Sequence, residues 1–199
     1  MGEVKLNWGN TSTLHSISYK CGYCGNSLAS NVGYHATSPS HGSFQGFIYI
    51  CHYCDRPTFF DFNKYQYPGA SYGNAVSNIP EDIGILYNEA RNCVACNANT
   101  ASVLCCRKLL MNIAVSKGAN EGQKFIEYIE FLADKGFVPP DGKDWVDHIR
   151  KKGNEANHEI ALMKREDAEE LITFIEMILK FIYEFPSKIK LKPSSKTGS

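Results

Sequence analysis

Two short cysteine motifs constrain this chain more than any other feature. Cys21-Gly-Tyr-Cys24 and Cys51-His-Tyr-Cys54 are C-x-x-C knuckles separated by 26 residues. Two residues between cysteines let one tight turn aim both sulfurs at a single point, and two such turns complete a tetrahedron around one Zn²⁺. Gly22 and Gly25 ease the first turn. A shell of four thiolates leaves no open coordination position, so the spacing predicts a structural metal and not a catalytic one. The plainer alternative is four cysteines resting in a core. His35, His41 and His52 are nearby substitutes that a complete cysteine set makes unnecessary.

The surrounding composition suits a small β-rich, zinc-ribbon-like module over residues 1–70. Gly, Ser, Asn, Tyr and Phe dominate it. Gly46–Ile50 reads as a strand entering the second knuckle, and Pro57–Phe62 as one leaving it. The rings of Tyr23, Phe44, Phe47, Tyr49, Tyr53, Phe59 and Phe60 fit two roles. Such rings commonly roof a zinc core, and they can also stack on nucleic-acid bases. Pro68–Asn78 holds Pro68, Gly69, Gly73 and several small polar residues, so residues 71–79 read as a linker.

From Pro80 the pattern becomes helical. Pro80, Glu81 and Asp82 suit a first turn, and Ile83, Leu86, Tyr87, Ala90 and Val94 form an apolar stripe. A second helix is expected over about 100–116, with Val103, Cys106, Leu110, Ile113 and Ala114 inward. A third spans about 121–135, ended by Gly136 and Pro139-Pro140. A fourth starts near Asp144 with Trp145, Val146 and Ile149. The fifth runs over 165–185, with Leu171, Ile175 and Ile178 in its stripe and Pro186 as its stop. The predicted fold class is therefore mainly α: a five-helix bundle over 80–187 behind the small β module. Trp145, Ile149, Leu171, Ile175 and Ile178 are its expected central core.

Charge divides along the same line. Residues 1–79 hold four basic and three acidic side chains, a net of +1. Residues 80–187 hold 13 basic and 18 acidic, a net of −5, and 188–199 add four lysines. An acidic body is a poor general magnet for nucleic acid, so any such contact is expected to be local. The tail 188–199 reads as basic and disordered. No stretch resembles a signal peptide or a membrane span, which predicts a cytoplasmic protein with reduced thiols. For Cys93, Cys96, Cys105 and Cys106, buried free thiols are the plainer reading. A second metal site using Cys93 and Cys96 is the alternative.

One polar stretch stands out in the helical half. Arg150, Asn154 and His158 are spaced at four and would share one helix face. A solvated helix end with capping polar groups is the plainer reading. Together with Tyr87-Asn88-Glu89-Ala90, Val103–Leu110, Gly153-Asn154-Glu155-Ala156-Asn157-His158 and Glu166-Asp167-Ala168, this block resembles the bacterial domain-of-unknown-function family 4145 over about residues 80–186. In such proteins an N-terminal zinc knuckle pair also occurs. That family resembles the HEPN helical domains, many of them metal-independent ribonucleases in defence systems, with relatives beside type I restriction subunits. The resemblance implies a homodimeric helical domain, RNA as substrate, and a protein partner in a restriction or antiphage system. It assigns His158 as acid/base, Arg150 as phosphate clamp and Asn154 as an orienting hydrogen bonder. Active relatives separate Arg and His by four to six residues, whereas seven intervene here. On a straight helix that step is a rise of about 12 Å. The competing reading is a non-catalytic protein-interaction or regulatory module with a structural zinc site.

Overall fold

The computed structural model describes residues 6–40, 42–138 and 162–190. The chain divides into two compact units, Met1–Ser71 and Tyr72–Ser199.

The first unit is a five-stranded antiparallel sheet: β1 (Ser12–Lys20), β2 (Ser27–Thr37), β3 (Phe44–Ile50), β4 (Pro57–Asp61) and β5 (Gln66–Tyr67). The strands lie in sequence order, a simple meander. In a meander every second turn falls at the same end of the sheet. The β1–β2 and β3–β4 turns are therefore neighbours, and each holds one C-x-x-C knuckle. Tyr19, Cys21, Leu28, Tyr49 and Cys51 form the small core, with Ile17, Phe47, Cys54 and Phe60 packed against it. Gly33 is demanded by packing: a Cβ there would stand 1.8 Å from the Ile48 carbonyl oxygen.

The second unit carries α1 (Glu81–Ala95), α2 (Asn99–Ser116), α3 (Phe125–Asp134) and α4 (Arg165–Leu179). A π-helical turn over Lys180–Glu184 then joins α4 to a short α5 (Phe185–Lys190). Helix α2 lies at the centre, packed against α1, α3 and α4. That position explains its weak amphipathicity, because residues on most of its sides are buried, from Ser102 and Val103 to Leu109, Leu110, Ile113 and Ala114. Leu171, Ile175 and Ile178 of α4 complete the same core, together with Phe174. Gly136, at φ 73°, ends α3, and the Phe137 amide returns to the Leu132 carbonyl. None of the helices described is long and apolar enough to cross a membrane.

These elements correct the predicted fold class. The chain is not mainly α with a five-helix HEPN-like bundle: a five-stranded sheet stands beside four longer helices, α1 to α4, and the six-residue α5 among the described residues. The expected fourth helix, with Trp145 and Ile149, lies outside the described residues. The β unit was underestimated because β1 and β2 are built largely from Ser, Thr, Asn, Gly and His. Their propensity signal is weak, and cross-strand pairing sets their conformation instead. Helix α3 begins at Phe125 and not near 121, since Gly122 at φ 76° holds the chain in a turn. Pro186 does not stop the last helical run. It lacks an N–H and crowds the preceding turn, and the wider π register at 180–184 accommodates it.

Residues 72–78, read as linker from composition, are clamped to the helical unit. The Arg91 guanidinium donates to the carbonyls of Tyr72 (2.7 Å) and Gly73 (3.0 Å). The Asn74 amide donates to Glu176 at 2.7 Å and its side chain adds a second bond at 3.0 Å. Tyr87 Oη donates to the Asn74 carbonyl, and the Ser77 amide to Glu184. Gly73 sits at φ 68°, with Glu176 only 2.9 Å from where a Cβ would stand.

Burial alone would raise the Glu176 carboxyl, but hydrogen bonds from Lys180 and Asn74 outweigh it and hold the group below the usual range. A depressed carboxylate contributes stability above its ordinary pKa and loses it as pH falls through the folded value. Glu176→Gln is therefore expected to destabilise the helical unit by about 1 kcal/mol at neutral pH. The gap to the parent should close below the ordinary glutamate range. Urea melts of both proteins across pH 3–7 measure this, and a gap constant with pH would contradict it.

Candidate metal centre

The two knuckles are built alike. In each, the first cysteine's carbonyl accepts the amide four residues on: Gly25 to Cys21 at 2.9 Å, Asp55 to Cys51 at 2.8 Å. Its own amide donates to the carbonyl five residues on: Cys21 to Asn26 at 2.9 Å, Cys51 to Arg56 at 3.0 Å. The turn requires a left-handed residue at the fourth step, and Gly25 (φ 72°) and Asp55 (φ 54°) occupy it. Glycine and aspartate are residue types that tolerate this conformation, so the aligned pair Cys24-Gly25 and Cys54-Asp55 carried the signal in the sequence. Gly22 has another reason: a Cβ there would lie 2.4 Å from the Pro68 carbonyl oxygen.

These turns bring Cys21, Cys24, Cys51 and Cys54 together, with all four sulfurs within 4.8 Å of one another. Cys21 Sγ lies 3.7 Å from Cys54 Sγ, and Cys24 Sγ 3.7 Å from Cys51 Sγ. A tetrahedron with metal–sulfur bonds near 2.3 Å has edges of about 3.8 Å. A disulfide would require sulfurs about 2.0 Å apart. The spacing thus fits four ligands around one ion and not two bridges. The four cysteines can hold a metal ion, and the closed set leaves no position for substrate.

The electrostatics agree. Burial pushes the Cys21 thiol up, and burial with the neighbouring thiols pushes Cys54 up to about 12. Cys24 is held below the usual thiol range, where burial is outweighed by the Asn26 backbone and the adjacent sulfurs. Asn26 Nδ2 approaches Cys24 Sγ at 3.5 Å. Tyr19 lies beside the cluster, its phenol pushed up to about 12, mostly by burial.

Among the described residues this is the one group of three or more His, Cys, Asp or Glu side chains with converging ligand atoms. The second metal site considered for Cys93 and Cys96 is not formed there. Cys106 is buried, Cys93 and Cys105 are half-buried, and Cys96 is exposed. Burial raises the Cys93, Cys105 and Cys106 thiols. The proposed RNA-site residues Arg150, Asn154 and His158 lie outside the described residues. Two buried arginines escaped the sequence reading: Arg91, which holds the 72–73 carbonyls, and Arg107, whose guanidinium stands 4.3 Å over the Phe125 ring.

A family model described as a domain of unknown function, DUF4145, matches residues 88–195. The chain belongs to the DUF4145 family. No curated protein and no solved structure matches it. The match takes in α2, α3 and α4, and also the segment that holds Arg150, Asn154 and His158. The cysteine cluster lies outside the matched residues of this DUF4145 protein.

Because Cys21 and Cys54 are raised, both are protonated at neutral pH without a metal, and only thiolates ligate. Metal uptake at pH 7 should therefore release protons, at least those of Cys21 and Cys54, and affinity should fall steeply as pH drops. Calorimetry of zinc binding in two buffers of different ionisation heat reads the release. An enthalpy independent of buffer would contradict it.

Proposed function

We propose that this DUF4145 protein is an RNA-directed component of a bacterial defence system, working in the cytoplasm. In this reading a zinc-stapled β-sheet unit accompanies a helical unit that cleaves RNA without a catalytic metal. The ion held by Cys21, Cys24, Cys51 and Cys54 is zinc, favoured by the all-thiolate donor set and the tetrahedral spacing. The observation that carries the RNA reading is the Arg150, Asn154 and His158 block, which falls within the family match.

The chemistry follows from those residue types. The neutral His158 imidazole takes the proton of a ribose 2′-hydroxyl, and the freed oxygen attacks the adjacent phosphorus. The P–O5′ bond breaks, leaving a 2′,3′-cyclic phosphate, and the departing 5′-oxygen takes up a proton returned by the His158 imidazolium, directly or through water. Arg150 neutralises the charge that builds on the non-bridging oxygens. Asn154 orients the phosphate. The eight-residue step from Arg150 to His158 lets both groups meet one phosphate through a bend at Gly153 or across a homodimer, in which each phosphate meets groups from both copies. The relation to HEPN domains belongs to this proposal.

A second reading rests on charge. The helical half carries a net of −5 over 80–187, which favours a non-catalytic module that binds another protein of a restriction or antiphage system.

His158→Ala should leave folding intact and lower RNA cleavage by at least about 100-fold, as expected for loss of a general acid–base. Cleavage of a labelled single-stranded RNA in the presence of EDTA measures this. Undiminished cleavage by the variant, or none by a pure dimeric parent, would sink the catalytic reading and leave the interaction module.

A further inference from the structure

One face of the β-sheet unit carries a cleft remote in purpose from the metal. It has a volume of about 560 Å³ and lies among His15, Phe44, Phe47, Tyr49, Phe60 and Phe62, with Asp61 and Lys64 at its polar side. The size suits a nucleotide-sized ligand. Its rings form a ladder along β3. Phe44 and Phe47 lie 5.3 Å apart at 32°, and Phe47 and Tyr49 6.1 Å apart at 32°. His15 closes one side, edge-on to Phe47 at 5.0 Å.

The ladder runs from core to solvent. Tyr49 is buried, at 1% exposure, whereas Phe44 is 59% and Phe62 71% exposed. The inner rings are explained by the small core. The outer two are not, since they add nothing to it. Flat apolar faces left in water beside ordered rings suit a flat partner, and every nucleobase has one.

The charges select the occupant further. Lys64 offers an ammonium for one phosphate. The Asp61 carboxylate, with one oxygen on the Tyr65 amide at 2.8 Å, has acceptor capacity left for a sugar hydroxyl or an exocyclic amine.

We infer that this cleft seats an unpaired nucleotide of single-stranded RNA, the base against Phe44 and Phe62, the phosphate at Lys64. The choice of RNA rests on the function proposed above; the stacking site itself does not. Phe44 and Phe62 act by stacking and take no part in chemistry.

The test is fluorescence anisotropy of the zinc-loaded full chain with a fluorescein-labelled 12-nucleotide single-stranded RNA, in a His158→Ala background that prevents cleavage. Phe44→Ala with Phe62→Ala should weaken binding tenfold or more. Phe62→Trp should retain it and Phe62→Leu should not, which separates stacking from a merely apolar role. Phe59→Ala, an exposed ring paired with Tyr67, should change nothing. Circular dichroism and zinc content confirm that each variant is folded. Equal binding by the double alanine variant, no binding by the parent, or equal affinity for duplex RNA or a free mononucleotide would overturn the inference. Ring-dependent binding without cleavage by the His158 parent would remove the catalytic reading and leave this site standing. Cleavage with ring-independent binding would do the reverse.

Discussion

Four sulfurs within 4.8 Å of one another, two pairs of them 3.7 Å apart, decide what the β unit can be. Thiolates at 3.7 Å repel one another unless a cation sits between them, and neutral thiols there fill a core without holding it together. Five buried residues make up that core, and two of them are cysteines of the cluster. So small a core needs a staple, and structural zinc supplies on the order of 10 kcal/mol or more to peptides of this kind. Meander order, paired knuckle turns and the left-handed residues Gly25 and Asp55 all serve one end: bringing two hairpin tips to one point, where four sulfurs can hold an ion.

The helical unit rests on different physics. Its core is large and apolar, centred on α2. The polar interactions sit at its margin, where Arg91, Tyr87, Glu176 and Glu184 hold residues 72–77 against α1 and α4. The family match covers most of this unit, whereas the cysteine cluster falls outside it. Two units stabilised so differently can respond to different conditions, one to metal supply and thiol oxidation, the other to carboxylate protonation.

How much of this the sequence revealed depended on how local the signal was. The C-x-x-C pairs named the four ligands because the spacing itself encodes the turn. Helix stripes placed Ile83, Tyr87, Ile113, Leu171, Ile175 and Ile178 inward, where they are buried. Strands β1 and β2 escaped, since their Ser, Thr and Asn residues become strands through pairing with distant partners and not through propensity. Alternation of His15, Ile17 and Tyr19 is a local trace of β1, and His15 and Ile17 also line the aromatic cleft. Residues 72–78 looked like a connector because their anchors, Arg91 and Glu176, are far away in sequence. Pro186 misled for a similar reason: a π-helical turn can absorb it, which no periodicity announces.

X-ray absorption at the zinc edge on protein purified without added metal addresses the staple most directly. The account predicts one zinc per chain, bound by four sulfurs at about 2.3 Å with no nitrogen or oxygen neighbour. Substoichiometric metal, or a shell in which histidine or water replaces a sulfur, would contradict it.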